Sequence, residues 1–399
     1  MDIDNNSYIL TVNAGSSSIK FGLFTATDNA RQLLYAEVVN IGKPIANFSV
    51  KGELATGTPV QEVAAANHQA AAKILIDYLL KCVPAPSVAA VGHRLVHGGP
   101  NYFEPRLIEQ PMIEDLRRLT VFDPEHLPVE LQLIGIFQQM FPAAKHVACF
   151  DTAFHRDLPV ESRILPIPRR YEAQGVRRYG FHGLSYTYVM SRLAELGDES
   201  AASGRVILAH LGSGVSLAAV RGGKSIDTTM GLTPAAGVPM STRSGDLDPG
   251  VALYLARSEG LDVEGFYRLV NFQSGLLGVS GITPDMKELL EKEETDSRAS
   301  DAVRLFCYQV KKAIGGLSAA LGGLDTLVFC GGMAENAPKI RARVCEGLEY
   351  LGINIDETRN LNADNVISAD SSRVNVRIIH TDESVTIVRS VLQLIKEAV

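Results

Sequence analysis

The chain is expected to be an α/β protein of two similar domains, and three observations carry that expectation. Its 399 residues exceed the size at which a single hydrophobic core usually stops growing. Short apolar runs bounded by Gly, Asn or Asp alternate with longer stretches of helical periodicity, the pattern of strands interleaved with helices. The third observation is internal similarity. Set above "VILAHLGSGVSLA", the segment "YILTVNAGSSSIK" aligns Ile9 with Ile207, Leu10 with Leu208 and Ser18 with Ser216 at one constant offset. Both segments read as strand, turn of small residues, strand. Hairpins rich in Gly and Ser are common, so coincidence stands beside duplication, yet the two copies head the two halves that length implies. The expected domains are residues 1–151 and 152–384, with chemistry in a cleft between them.

Strands are expected where apolar and β-branched residues run together: at 9–12, 19–24, 88–91 and 146–150 in the first half, and at 206–210, 215–220, 326–330 and 374–379 in the second. Helical spacing is clearest at 301–321, where Val303, Phe306, Val310, Ile314, Leu317 and Leu321 recur every three or four residues and mark a core-facing stripe. A second stripe, Val388, Val391, Leu392 and Ile395, follows the polar "TDES". The terminal helix, 385–399, is expected to pack back on the first domain.

Composition narrows the function. Apolar residues make up 46% and charged residues 21%, as in ordinary folded proteins. Net charge is -7, and the basic residues are dispersed as pairs such as Arg117-Arg118, Arg169-Arg170 and Arg177-Arg178, which argues against a nucleic-acid partner. "MDIDNNSYIL" is acidic and polar where a secretory signal is basic and then apolar. Apolar stretches are broken by Lys, Asp or Gln short of the roughly 20 residues that span a bilayer, so no membrane role is expected. The five cysteines are scattered without a CxxC pair, the usage of reduced thiols in a cytoplasm.

Turns of small residues let backbone N–H groups converge on an anion, so the paired hairpins suit phosphate. Other phosphate motifs fail. "GGKS" at 222–225 would need Gly at 218 for a P-loop, and Ala218 stands there. "GSGVSL" at 212–217 lacks the third glycine of a dinucleotide fingerprint. "LDTLVFCGGMAEN", 324–336, is a buried-strand pattern ending in paired glycines; it could seat a flat ring against the backbone or simply make a tight strand-to-helix turn.

"NAGSSSIK" (13–20), "GHRLVHGG" (92–99), "FDTAFH" (150–155), "RRYGFHG" (177–183), "HLGSG" (210–214), "TRSGDLDPG" (242–250), "SGLLGVSG" (274–281) and "GGMAEN" (331–336) together resemble the acetate and propionate kinase family, in order and over nearly the whole chain. The resemblance implies the duplicated fold of acetate and sugar kinases, Hsp70 and actin (ribonuclease H-like), with the second domain binding nucleotide. It implies reversible, direct in-line phosphoryl transfer from ATP to acetate, giving acetyl phosphate and ADP. It also implies Mg²⁺ or Mn²⁺ as cofactor and a cytoplasmic homodimer. Propionate or another short acid as acceptor, pyrophosphate as donor, a sugar kinase and a catalytically silent nucleotide-binding regulator are the alternatives.

The same resemblance assigns roles. Arg94 and Arg243 would hold the carboxylate and the phosphoryl group in flight, His182 would stabilise the transition state, and Asp151 completes the catalytic set. Val96, Phe181 and Pro234 would line the pocket for the methyl group. Asn13 and Glu383 would hold the metal, although Asp382 and Glu383 could instead favour a helix N-terminus. Lys20, His210, Leu211, Gly212, Ser213, Gly214, Asp285, Met286, Lys287, Gly331, Gly332, Met333, Ala334 and Glu335 match nucleotide positions. Because carboxylic acids titrate near pH 4, acetate arrives ionised, and Asp151 is expected to orient Arg94 or a metal-bound water. The chain departs from the family pattern at Glu125, Leu184, Tyr186, Ser213, Ala236, Ser241, Lys287 and Ala334. Glu125 would repel a carboxylate if it pointed inward, so it is expected to face a basic residue or solvent. These departures leave acyl-chain length and nucleotide preference open.

Overall fold

A computed structural model describes residues 7–57, 59–196 and 199–397. The expected domains include residues 1–6, 58, 197 and 198, and the expected terminal helix includes 398 and 399; these lie outside the described residues. The chain forms two compact units, Met1–Ala153 with Asp382–Val399, and Phe154–Thr381.

The first unit is built on eight strands: β1 (Tyr8–Gly15), β2 (Ser18–Thr25), β3 (Gln32–Val39), β4 (Ala46–Lys51), β5 (Val60–Val63), β6 (Val88–Leu95), β7 (Arg106–Leu107) and β8 (Lys145–Phe150). Their order across the sheet is β5-β4-β3-β2-β1-β6-β8-β7. β1 to β5 form an antiparallel meander, and β6 and β8 add parallel to β1. The β1–β2 turn is tight: Asn13 faces Lys20, Gly15 faces Ser18, and His68 Nε2 donates to the Gly15 carbonyl at 2.8 Å. His68 opens the helix His68–Cys82, whose N-cap Asn67 accepts from the Ala70 N–H, satisfying one of the open donors of the first turn.

The terminal helix, Glu383–Glu397, buries Ile387, Val388, Val391, Leu392 and Ile395 against β1 and β6. Its approach is close. A Cβ on Gly92 of β6 would lie 2.4 Å from Ile387 Cγ2 and 2.8 Å from Val391 Cγ2, so only glycine lets the helix seat there.

The second unit carries β9 (Arg205–Leu211), β10 (Val215–Arg221), β11 (Lys224–Thr228), β12 (Thr326–Cys330) and β13 (Asn375–Ile378) in the order β11-β10-β9-β12-β13. β9, β10 and β11 are antiparallel neighbours, while β12 and β13 add parallel to β9. This repeats β3-β2-β1-β6-β8 strand for strand, so the internal similarity is a duplication of topology. The constant offset does not survive the turn. Ser18 closes its hairpin opposite Gly15, whereas Ser216 faces His210 inside the ladder and the chain opens only at Gly212, Ser213 and Gly214. The helix Ser297–Leu321 starts earlier than periodicity alone indicates, because Asp296 caps it by accepting from the Arg298 N–H, and it ends at left-handed Gly322.

Candidate active site

In the first unit, the parallel strands deliver the charged residues. Arg94 sits near the end of β6 and Asp151 directly follows β8, with its N–H on the Leu95 carbonyl at 2.8 Å. Arg94 Nη2 donates to Asp151 Oδ2 at 2.6 Å. Its Nη1 donates to Glu130 Oε1 at 2.8 Å and to the Ala14 carbonyl at 3.2 Å. Burial disfavours the guanidinium charge, but Asp151, Glu130 and Glu383 outweigh it and raise the Arg94 pKa, so the group stays cationic. Arg94 Nε is buried and meets no hydrogen-bond partner among the described residues.

Glu130, on the helix Leu127–Met140, was not singled out from the sequence. Burial pushes its carboxyl up to about 7, although Arg94 and the Val96 N–H pull the other way. A signal was present: Leu127, Leu133, Ile134 and Phe137 form the buried face of that helix, and Glu130 interrupts it. Glu125, by contrast, is exposed, so the buried carboxylates of this segment are Asp123 and Glu130. Beside it, Asp123 accepts from His126 Nδ1 at 2.9 Å, and those contacts lower its pKa despite burial.

Asn13, on β1, donates from Nδ2 to Glu383 Oε2 at 2.6 Å, which brings together the two residues expected to hold a metal. An amide carbonyl and a carboxylate are hard oxygen donors, and Mg²⁺ takes few protein ligands while keeping water. The pair therefore fits such an ion. Among the described residues no group of three or more His, Cys, Asp or Glu is placed to bind a metal. Lys20 is exposed on β2, cross-strand from Asn13.

In the second unit, His182 takes a left-handed backbone, φ 58°, immediately before the helix Gly183–Glu195. Its Nδ1 lies 2.8 Å from Ser216 Oγ, and its ring stacks on His210 at 4.2 Å. Tyr186, one turn along the helix and fully buried, hydrogen-bonds Ser216 through its hydroxyl. Tyr186, a departure from the family pattern, and Ser216, the counterpart of Ser18 in the internal alignment, are thus supporting residues whose role the motifs do not reveal. A Cβ on Gly214 would lie 3.2 Å from His182 Nε2 and 3.5 Å from Arg243 Nη1, so both side chains converge on the open turn of the β9–β10 hairpin.

The Arg243 loop is held by main-chain bonds. The Ser241 N–H reaches the Ser213 carbonyl, and the Leu276, Leu277 and Ser274 N–H groups reach Met240, Ser241 and Thr242. Arg243 Nη1 donates to the Pro234 carbonyl at 3.2 Å. Phe181, 1% exposed, and Pro234 belong to this unit, whereas Val96 belongs to the first.

Of the expected nucleotide residues, His210 and Leu211 end β9 beside Cys330 of β12. Gly331, at φ 85°, turns the chain over Leu211, where a Cβ would lie 2.9 Å from the Leu211 carbonyl oxygen. Gly332 opens the short helix Gly332–Asn336, and a Cβ added there would meet nothing within 4 Å outside its own helix backbone and chain neighbours. Ala334 and Leu211 are fully buried, so what they offer is main chain. The Glu335 carboxylate clasps the loop, accepting from the Gly331 N–H at 2.9 Å and pairing with His380 at 2.7 Å. Asp285 caps the helix Met286–Lys292 by accepting from the Lys287 and Glu288 N–H groups; Met286 is buried and Lys287 exposed. Met333 is partly buried.

Residues 8–389 match the acetokinase family. The chain belongs to that family. It is 40% identical over 400 residues to an acetate kinase of Methylocella silvestris, covering 98% of each chain. It is 38% identical over 391 residues to a propionate kinase of Escherichia fergusonii, covering 97% of this chain and 96% of the relative. The crystal structure of a propionate kinase from Francisella tularensis superposes with a TM-score of 0.89 at 35% identity, over 96% of this chain and 98% of that one. The fold of this acetokinase family member is thus the duplicated α/β fold of acetate and sugar kinases, Hsp70 and actin. Membership makes it a phosphotransferase with a carboxyl acceptor and ATP as co-substrate. No described helix is long and apolar enough to cross a membrane.

Proposed function

We propose that the protein is an acetate kinase, transferring the γ-phosphoryl group of ATP to acetate reversibly and in line to give acetyl phosphate and ADP. The observation that carries this reading is the 2.6 Å pair between Arg94 and Asp151. A sugar hydroxyl needs a base to take its proton; here the candidate base is committed to a guanidinium, an arrangement suited to an acceptor that is already an anion.

Arg94 grips the acetate oxygens, for which a guanidinium fork is the natural partner; Val96 of the first unit, and Phe181 and Pro234 of the second, are the residues proposed for the methyl group. Arg243 neutralises charge on the phosphoryl group as it moves. Held through Nδ1 by Ser216 Oγ, which the Tyr186 hydroxyl supports in turn, the His182 ring presents Nε2, the nitrogen nearest Gly214, and in its protonated form donates from there to a phosphoryl oxygen. The β9–β10 turn and the Gly331–Gly332 corner receive the nucleotide, with Lys20 adding charge. Asn13 and Glu383 would hold Mg²⁺ or Mn²⁺, which would supply neutralisation of phosphate charge. Five free cysteines, four of them buried, suit a reducing cytoplasm.

A homodimer is supported by the helices Gly250–Glu259 and Val263–Phe272, which bury no residue and leave Leu253, Tyr254, Val263 and Phe272 exposed. An apolar surface of that kind marks an interaction site.

Trapping acyl phosphate as hydroxamate from acetate, ATP and Mg²⁺ tests the reaction. Product is expected, and it should fall by at least about a hundredfold in Arg243→Ala and His182→Ala. No product from any short carboxylate overturns the reading. Relatives with both acetate and propionate kinase names at similar identity favour propionate as the second acceptor, and kcat/KM across acetate, propionate and butyrate, each with ATP and with pyrophosphate, decides it.

A further inference from the structure

We infer that Glu130 is a positioning residue whose buried carboxylate fixes the Arg94 guanidinium and the Val96 main chain together, setting both the grip on the substrate carboxylate and the acyl-chain length accepted. The inference rests on the carboxylate-kinase reading above. Glu130 Oε1 accepts from Arg94 Nη1 at 2.8 Å and Oε2 accepts from the Val96 N–H at 2.9 Å. One carboxylate therefore bridges the two residues of the first unit that are proposed to touch acetate.

Stability does not explain its presence. Glu130 is 3% exposed, and a buried ion pair recovers its desolvation cost only in part, so the Arg94–Glu130 pair taken together adds little to the fold that a pair of apolar residues would not. Two carboxylates, Glu130 and Asp151, press on one guanidinium, with Asp123 and His126 adding opposite influences nearby. That excess of acceptors directs the side chain. Nη1 spends its two protons on Glu130 and the Ala14 carbonyl, and Nη2 spends one on Asp151. What remains is one Nη2 proton and the Nε–H, which is buried without a partner among the described residues. By engaging Nη1, Glu130 thereby limits which guanidinium protons are left for substrate. Through the Val96 N–H it also anchors the residue proposed to limit the methyl pocket.

The test compares the full-length wild type with Glu130→Gln and Glu130→Ala. Glutamine keeps the size but can accept from only one of the two N–H donors without turning its NH₂ toward the other; alanine accepts from neither. The KM for acetate should rise about tenfold in Glu130→Ala while the KM for ATP stays within about twofold, the scale of losing a charge-assisted hydrogen bond. The acetate-to-propionate ratio of kcat/KM should fall at least about threefold as Val96 loosens, with Glu130→Gln between alanine and wild type. If the alanine variant does not fold, Glu130→Gln alone should raise the acetate KM about threefold with the ATP KM unmoved. Folded variants with wild-type acetate KM and chain-length preference, or with acetate and ATP KM rising together, overturn the inference. A wild type that forms no acyl hydroxamate overturns the kinase reading and this inference with it, and does so before any variant is compared.

Discussion

At the scale of single residues, burial sets the charge states. His155 is 3% exposed, with Nδ1 2.8 Å from Ser225 Oγ and Nε2 3.1 Å from the Phe181 carbonyl. A carbonyl only accepts, so Nε2 carries the proton and Nδ1 accepts from the serine. Burial lowers the imidazole to about 4, with Arg178 adding to the effect and the Phe181 bond opposing it. Between pH of about 6.5 and 4 the unfolded chain binds a proton that the folded chain refuses, so stability falls as pH drops. The wild type should lose on the order of 2 kcal/mol more than His155→Gln between pH of about 7 and 5, read from urea midpoints. An equal loss in both would remove His155 as a source of acid sensitivity. Glu130 acts with the opposite sign. Its folded value of about 7, against an ordinary 4.5, makes stability decline as pH rises through that window, so the two contributions separate only in single-residue variants.

Among the elements, the terminal helix is the one whose placement matters most to the site. Its first residue, Glu383, meets Asn13 of β1, and its buried face rests where β6 has Gly92 instead of a side chain. Gly92→Ala should therefore cost about 1–3 kcal/mol by overpacking and raise the Mg²⁺ concentration needed for half-maximal activity. A variant with wild-type urea midpoint and Mg²⁺ dependence would show that the helix docks without this close approach. Periodicity found the helix, because Val388, Val391, Leu392 and Ile395 are all core. It could not find the partner groove, since a lone glycine in a strand reads equally as a bulge or a packing site.

For the molecule as a whole, the exposed apolar helices Gly250–Glu259 and Val263–Phe272 bear on assembly. Sedimentation velocity should give a dimer for the wild type and a shift toward monomer for Val263→Asp with Leu253→Asp, because charges in an apolar interface go unpaired. A monomeric wild type, or a variant that stays dimeric, would place the interface elsewhere.

The eight strands expected from sequence are all present, and they are the ten strands of the duplicated framework without β3 and β11. Buried central strands such as β8 and β12, with burial on nearly every residue, read as continuous apolar runs. The strands overlooked were β3, β4, β5, β7 and β11; β4 alternates buried and half-buried residues, a weaker signal than a continuous run. By itself, then, the sequence determined the α/β class, the duplication, the family and the motifs that carry Asn13, Arg94, Asp151, His182 and Arg243, because glycine-rich turns and charged residues at strand ends are local features. Only the tertiary structure decided that Glu130 holds Arg94 across 36 residues, that Tyr186 and Ser216 orient His182, and that Glu383 returns to Asn13 across 370. Such partners are chosen by how strands and helices stack, and a one-dimensional pattern carries no record of which distant side chain fills a buried hydrogen bond.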